Sequence, residues 1–314
     1  MRRLIAAPLA PLVIAAALAG CSSSPAATSA NQAVKVAGPQ GKAPTVHIPA
    51  RQPDRKLVTK TLVTGNGQKL TTGDSFLANF NLYIWRGKTN KLLFSSFKTM
   101  PQVFPVSIGL PGLQKAVAGQ RVGSRVLAVL PPKYGYGTRG NAQIGVKPTD
   151  TLVWVIDLLH AFPADASATG KQVSTGGGSL PSVHAAGGTA PQIQIPKTAP
   201  PSKLVVTTLI KGTGPAVKAG QSIVVRYVAS IWRTRQVFND NWPSTSQPTA
   251  PPTAFKLGQL IPAWNTGLVG IPVGSRVMLV VPPDEGYGKT GNAQAGIKGT
   301  DTLVFVLDIL SATS

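Results

Sequence analysis

The side chains that usually carry bond-making or metal chemistry are scarce in this sequence and badly spaced for it. The single cysteine, Cys21, allows no disulfide within one chain and no thiolate metal cluster. His47, His160 and His184 lie far apart and match no zinc-ligand spacing. There is no G-x-S-x-G elbow, no phosphate-binding glycine loop and no defensible Ser/His/Asp set. These absences remove most hydrolase and transferase readings, and no cofactor or metal is expected. The informative residues are aromatic and apolar: Tyr227, Phe238, Trp264, Tyr287 and Phe305, with Leu260, Ile261 and Asn239 beside them. Taken singly, Tyr227, Phe238 and Phe305 read as core. Tyr287 does not, because Gly286-Tyr287-Gly288 places it in a loop, and loops of this kind carry function.

The elements that must hold these residues are mostly strands. Ile223–Val228, Arg276–Val281 and Thr302–Leu310 are rich in β-branched or apolar residues and bounded by Gly, Pro and Asn. One short helix is predicted from about Ile261 to Val269, with Pro262 at its first position and Gly270 at its end. Strands with a single short helix predict an α+β domain, an antiparallel sheet with one face closed by that helix. The pattern occurs twice. Val122-Gly123-Ser124-Arg125-Val126 recurs as Val273-Gly274-Ser275-Arg276-Val277. Gly140-Asn141-Ala142-Gln143 recurs as Gly291-Asn292-Ala293-Gln294, and Thr149–Val153 recurs as Thr300–Val304 in the same register. The chain thus carries two copies of a domain of about a hundred residues, too long a period for a solenoid. The copies are expected at 57–162 and 203–314. Residues 21–56 read as a flexible tether and 163–202 as a disordered linker, both rich in Pro, Gly, Ser and Ala.

The N-terminus reads as an export signal over residues 1–20. Arg2 and Arg3 precede an apolar stretch from Leu4 to Ala19 that is too short to span a membrane. It ends Leu18-Ala19-Gly20-Cys21, which resembles the bacterial lipobox, so Cys21 is expected to be lipidated. Two or more acyl chains anchor a protein stably. The expected location is therefore the extracytoplasmic face of the cell membrane, with the chain lipid-anchored. The formal net charge is +21, but basic residues are scattered and no run exceeds Arg2-Arg3. Nucleic acid is not an expected partner. An acid-poor surface explains the charge, with weak attraction to anionic lipid or cell-wall polyanion as its consequence. Nothing in the sequence demands more than a monomer.

The second copy resembles an FKBP-type peptidyl-prolyl cis-trans isomerase domain from about Leu204 to Leu310. The resemblance rests on Val224–Tyr227, Val237–Asn239, Phe255–Trp264, Val273–Arg276, Pro282–Gly288 and Asp301–Val306, in that order. It implies a half-open apolar pocket that holds a proline ring. Tyr227 and Phe238 would form its walls, Trp264 its floor and Phe305 its back. Leu260 and Ile261 would sit where the pocket meets the helix, the Ile261 N–H binding the substrate carbonyl. Tyr287 would offer its hydroxyl from above. Asn239 stands where the family usually has aspartate, and an amide can still hydrogen-bond. Rotation about an X–Pro bond faces a barrier of about 18–20 kcal/mol from amide resonance. An apolar pocket disfavours the planar, more polar amide, so the reaction needs no nucleophile, metal or cofactor. The implied substrates are proline-containing exported polypeptides.

By the internal repeat, the first copy departs from the pocket pattern. Phe80 replaces Tyr227, Phe94 matches Phe238, and Ser95 replaces Asn239. Val106–Gly109 replaces Phe255–Gly258, and Leu113 falls at Trp264 after a short deletion before Pro111. Trp154 replaces Phe305, while Tyr136 is kept. The first copy is expected to fold with little or no activity. Three readings fit the whole: an isomerase of exported proteins acting mainly through the second copy; a non-catalytic chaperone or peptide-binding lipoprotein on the same fold; and an envelope scaffold. Asn239 and the loop after it favour the second; Trp264, Tyr287 and Phe305 favour the first.

Overall fold

The structure is a computed structural model that describes residues 29–186 and 188–314. The expected signal segment and Cys21 lie outside the described residues. In chain order the first half contains β1 (Lys35–Ala37), β2 (Thr45–His47), β3 (Val58–Val63), β4 (Ser75–Arg86), β5 (Thr89–Ser95) and β6 (Gln102–Pro105). It continues with α1 (Pro111–Val117), β7 (Arg125–Leu130) and β8 (Thr151–Phe162). The second half contains β9 (Lys171–Gln172), β10 (Ser182–His184), β11 (Gln192–Gln194), β12 (Val205–Lys211) and β13 (Ser222–Ile231). Then come β14 (Gln236–Asp240), β15 (Thr253–Lys256), α2 (Pro262–Gly267), β16 (Arg276–Val281) and β17 (Leu303–Thr313).

Two antiparallel sheets result. The first runs β3-β7-β8-β4-β5, with β6 also paired to β4. The second runs β14-β13-β17-β16-β12-β9, with β15 also paired to β13. Each sheet carries its helix on one face. In the second, Ala263, Trp264 and Leu268 pack against Val277, Leu279, Val281, Phe305 and Leu307. The observed helix is shorter than the predicted one. Within it, a Cβ on Gly267 would come 3.2 Å from the side chains of Leu279 and Val206, so glycine lets the helix lie close on the sheet.

The segments read as tether and linker are corrected by the structure. Residues 29–56, 163–186 and 188–202 form two arms, each built around a hairpin: β1 with β2, and β10 with β11. Each arm covers the sheet face opposite the helix. Ala30, Val34 and Ile48 pack with Trp85, Leu127, Val129, Val153 and Val155. Val183 and Ile195 pack with Trp232, Met278, Val280, Val304 and Val306. The Trp85 Nε1–H donates to Arg51 O at 3.0 Å, and the Trp232 Nε1–H donates to Thr198 O at 3.1 Å. β9, inside the expected linker, pairs with β12. Few apolar residues are needed here, because each arm borrows its core from the sheet beneath. The duplication therefore includes the arms. Lys35 and Ser182, Thr45 and Gln192, and Trp85 and Trp232 are all separated by the same stretch of chain, and Ala43-Pro44 and Ile48-Pro49 recur as Ala190-Pro191 and Ile195-Pro196.

Candidate active site

The second sheet, its helix and the loop from Pro282 to Asp301 enclose a cavity of about 440 Å³. All eight residues singled out in the sequence line it: Tyr227, Phe238, Asn239, Leu260, Ile261, Trp264, Tyr287 and Phe305. Trp264 lies in the first turn of α2 and is 4% exposed. It makes edge contacts with Tyr227 at 5.9 Å, Phe255 at 5.2 Å and Phe305 at 5.6 Å between ring centroids. Phe238 meets Phe305 edge-on at 6.2 Å. Edge-to-face packing leaves ring faces and an apolar concavity where an aliphatic ring can sit.

Polar groups are few and placed by the backbone. The Tyr227 hydroxyl donates to Asn239 Oδ1. Burial, with Asp240 and Tyr287 nearby, holds the Tyr227 phenol above its usual pKa, so it remains a donor through neutral and mildly alkaline pH. The turn before α2 is tied by Asn265: the Gly258 N–H donates to its Oδ1 at 2.7 Å, and its Nδ2 donates to Leu260 O at 3.2 Å. Among the described residues, the Ile261 N–H at the cavity donates to no group. Tyr287 sits in the loop between two short 3-10 turns, Pro283–Glu285 and Gly288–Thr290, and is 38% exposed. That loop is closed by paired bonds between Asn292 and Ile297, of 2.8 and 2.9 Å. Gly291, at φ +64°, allows this closure; a Cβ there would lie 2.4 Å from Ile297 O. Asp301 anchors the end of the loop by accepting from the Lys298 N–H at 2.8 Å and from Arg233 at 2.7 Å.

Five further residues line the cavity: Ala229, Phe255, Asn292, Gln294 and Ala295. Phe255 stands in a motif already noted but reads as strand core. Asn292 and Gln294 belong to the repeated Gly-Asn-Ala-Gln, a polar repeat that marks a loop without saying what it faces.

The site is apolar below, with a hydroxyl, an amide and a free backbone N–H at its edge. The chain matches the model of a domain described as FKBP-type peptidyl-prolyl cis-trans isomerase over residues 67–159 and 214–310, more than half its length. It belongs to that family. A Streptomyces anulatus FK506-binding protein is 32% identical over 123 residues, 38% of this chain and 95% of that one. A probable FK506-binding protein of Corynebacterium glutamicum is 36% identical over 124 residues, 39% of this chain and 98% of its own. A crystal structure of the Pseudomonas syringae peptidyl-prolyl isomerase is similar at 30% identity and TM-score 0.31, covering 35% of this chain and 76% of that one. Both arms lie outside the two matched spans.

The first FKBP domain rearranges the same positions, and its strand register corrects the sequence alignment. Phe104 pairs with Phe76 as Phe255 pairs with Ile223, so Phe104 takes the place of Phe255 and Val106 that of Leu257. No deletion precedes Pro111. On β5, Phe94 lies opposite Leu82 as Asn239 lies opposite Ala229. Phe94 therefore replaces Asn239, Ser95 replaces Asp240, and Leu93 stands where Phe238 does. Both strands carry the same β-bulge, with Leu93 and Phe238 as its extra residues, so the bulge does not offset the copies; matching phenylalanine to phenylalanine moved the alignment by one position. The consequence is chemical. Phe80 and Phe94 stack at 5.2 Å where Tyr227 and Asn239 hydrogen-bond. Trp154 packs 4.9 Å from Phe80, on the side where Leu113 replaces the larger Trp264. The Leu110 N–H, equivalent to that of Ile261, is consumed by Ile108 O at 2.5 Å.

Proposed function

We propose that turnover resides chiefly in the second domain, acting on proline-containing polypeptides after export, and that the chain is held at the extracytoplasmic face of the membrane by lipid on Cys21. The observation that carries the first part is the contrast between domains: an aromatic cavity with a free Ile261 N–H in one, and stacked rings with the equivalent N–H occupied in the other. A prolyl ring seated on Trp264 would place its preceding carbonyl within reach of that N–H. The apolar walls then disfavour the planar amide relative to the twisted one. The anchor reading is supported by the Leu18-Ala19-Gly20-Cys21 motif.

The test is cis–trans isomerisation of an Ala-Leu-Pro-Phe type peptide by the full chain. Trp264→Ala should lower kcat/KM by at least about tenfold, the loss of roughly 1.4 kcal/mol of transition-state stabilisation. Activity unchanged in that variant would move turnover to the first domain or elsewhere. For the anchor, labelled fatty acid should enter the wild-type chain and not Cys21→Ser.

Asn239 favours one alternative, a peptide-binding module without turnover. It would show as a folded chain that binds proline peptides and leaves their exchange rate unchanged. Against it, the Asn239 amide still accepts the Tyr227 hydroxyl.

A further inference from the structure

We propose that Asn241 is a positioning residue for the second-domain pocket: it stands in for a missing strand residue and holds Tyr227 in the pocket wall. The inference rests on that pocket being the seat of turnover.

β14 and β15 lie end to end along one edge of β13. β14 faces Val228–Ile231, and β15 faces Ser222–Val225. Residues 241 to 252 lie outside both strands; the Asn241 N–H still donates to Tyr227 O at 3.3 Å, and the ladder then breaks, leaving the Tyr227 N–H and Val225 O without a strand partner on this edge. Strand residues at such a gap would have unpaired backbone groups. The Asn241 side chain fills it. The Tyr227 N–H donates to Asn241 Oδ1 at 2.8 Å, and Asn241 Nδ2 donates to Val225 O at 2.9 Å. A primary amide carries an acceptor and a donor as a peptide group does, so one side chain completes the ladder on both sides of Arg226. Nδ2 also donates to Thr253 Oγ1 at 2.9 Å, fixing the point where the chain rejoins the sheet. The Arg226 Nη1–H donates to Asn241 O at 2.7 Å, which holds the residue from its other end.

Asn241 does not line the cavity; it acts through Tyr227, whose ring meets Trp264 and Phe255 and whose hydroxyl reaches Asn239. The first domain supplies an internal comparison. There the Phe80 N–H donates to Ser96 Oγ at 2.7 Å, and Ser96 turns its own hydroxyl to Asn79 Oδ1 at 3.1 Å. A serine at this place thus keeps the acceptor for the wall residue and loses the donor to the earlier carbonyl.

The full chain is assayed as wild type, Asn241→Ala, Asn241→Ser and Trp264→Ala, with the folded fraction of each measured by circular dichroism. Asn241→Ala should lower kcat/KM per folded molecule about tenfold, and Asn241→Ser should recover to within about threefold of wild type. A merely structural role would lower stability in both and leave kcat/KM per folded molecule at the wild-type value, and that result overturns the proposal. So does a folded serine variant no better than the alanine one. Should Asn241→Ala fail to fold, Asn241→Leu takes its place, filling the same space without an acceptor for the Tyr227 N–H: a loss of about tenfold in kcat/KM per folded molecule supports positioning, and the wild-type value refutes it. Full activity in Trp264→Ala would instead show that the pocket reading itself is wrong.

Discussion

Trp264, Tyr227, Asn239 and Phe305 act as a set, and the first domain shows what happens when the set changes together. Leu113, Phe80, Phe94 and Trp154 exchange a large floor for a large back and a hydrogen bond for a stacked pair. Tyr227→Phe in the second domain isolates one step of that exchange. It keeps the ring contacts and removes the donor to Asn239, so kcat/KM should fall about threefold to tenfold with little change in stability. Because the Tyr227 phenol is held above its usual pKa by burial and by Asp240 and Tyr287, and the lining contains no carboxylate, histidine, lysine or thiol, kcat/KM should be flat from about pH 6 to 9. A bell-shaped profile would require a general acid or base. Asp301 titrates elsewhere. The Arg233 hydrogen bond holds its carboxyl below the ordinary value of 3.8, against the opposing effect of burial. Its contribution to stability is therefore complete above that value and fades as pH falls through the lower, folded-state value. Arg233→Ala should shift the midpoint of acid unfolding to higher pH, read by circular dichroism.

The arms are the element that changes the account of the fold. β7 reads Arg-Val-Leu-Ala-Val-Leu and β16 reads Arg-Val-Met-Leu-Val-Val, each buried along its whole length. Val126, Ala128 and Leu130 face the helix side while Leu127 and Val129 face the arm. An antiparallel sheet with one wet face alternates polar and apolar residues, so these unbroken runs required a cover on the second face. That signal was present in the sequence and pointed at the tethers. The tethers hid it, because an arm with one apolar residue every several positions among Pro, Gly and Ser has the composition of a linker. The pocket of the second domain was legible for the opposite reason: its residues fall in short motifs of fixed spacing, and strand, helix and loop each bring a few of them to one cavity. What could not be read was the strand register of the first copy: matching Phe94 to Phe238 by type displaced Phe94 and Ser95 by one position, and only the cross-strand partners reveal it. Each arm should be energetically part of its domain. A fragment of residues 203–314 should be less stable than 163–314 by at least about 3 kcal/mol in urea, since the cover over Trp232, Met278 and Val280 is lost. Equal midpoints would show that the arm contributes nothing.

Across the whole molecule, charge is partitioned by burial. Asp74, Asp150, Asp157, Asp301 and Asp308 are buried, half of the ten acidic residues, and the last four pair with arginine. The water-facing surface is thus more cationic than the composition implies. The unlipidated chain should sediment with phosphatidylglycerol vesicles at low ionic strength and be released by about 0.5 M salt, where the Debye length shrinks to roughly 4 Å. Chain order has a different consequence. In each copy the last strand is central: β8 lies between β7 and β4, and β17 lies between β16 and β13. Neither sheet can close until its final residues are available, because the β3-β7 pair and the strands around β4, like the β12-β16 pair and the strands around β13, join only through that last strand. A chain threading end-first through a narrow channel therefore stays open along each copy until its last strand has passed. It then completes the first sheet at Phe162, while the second remains unformed until Thr313 has emerged.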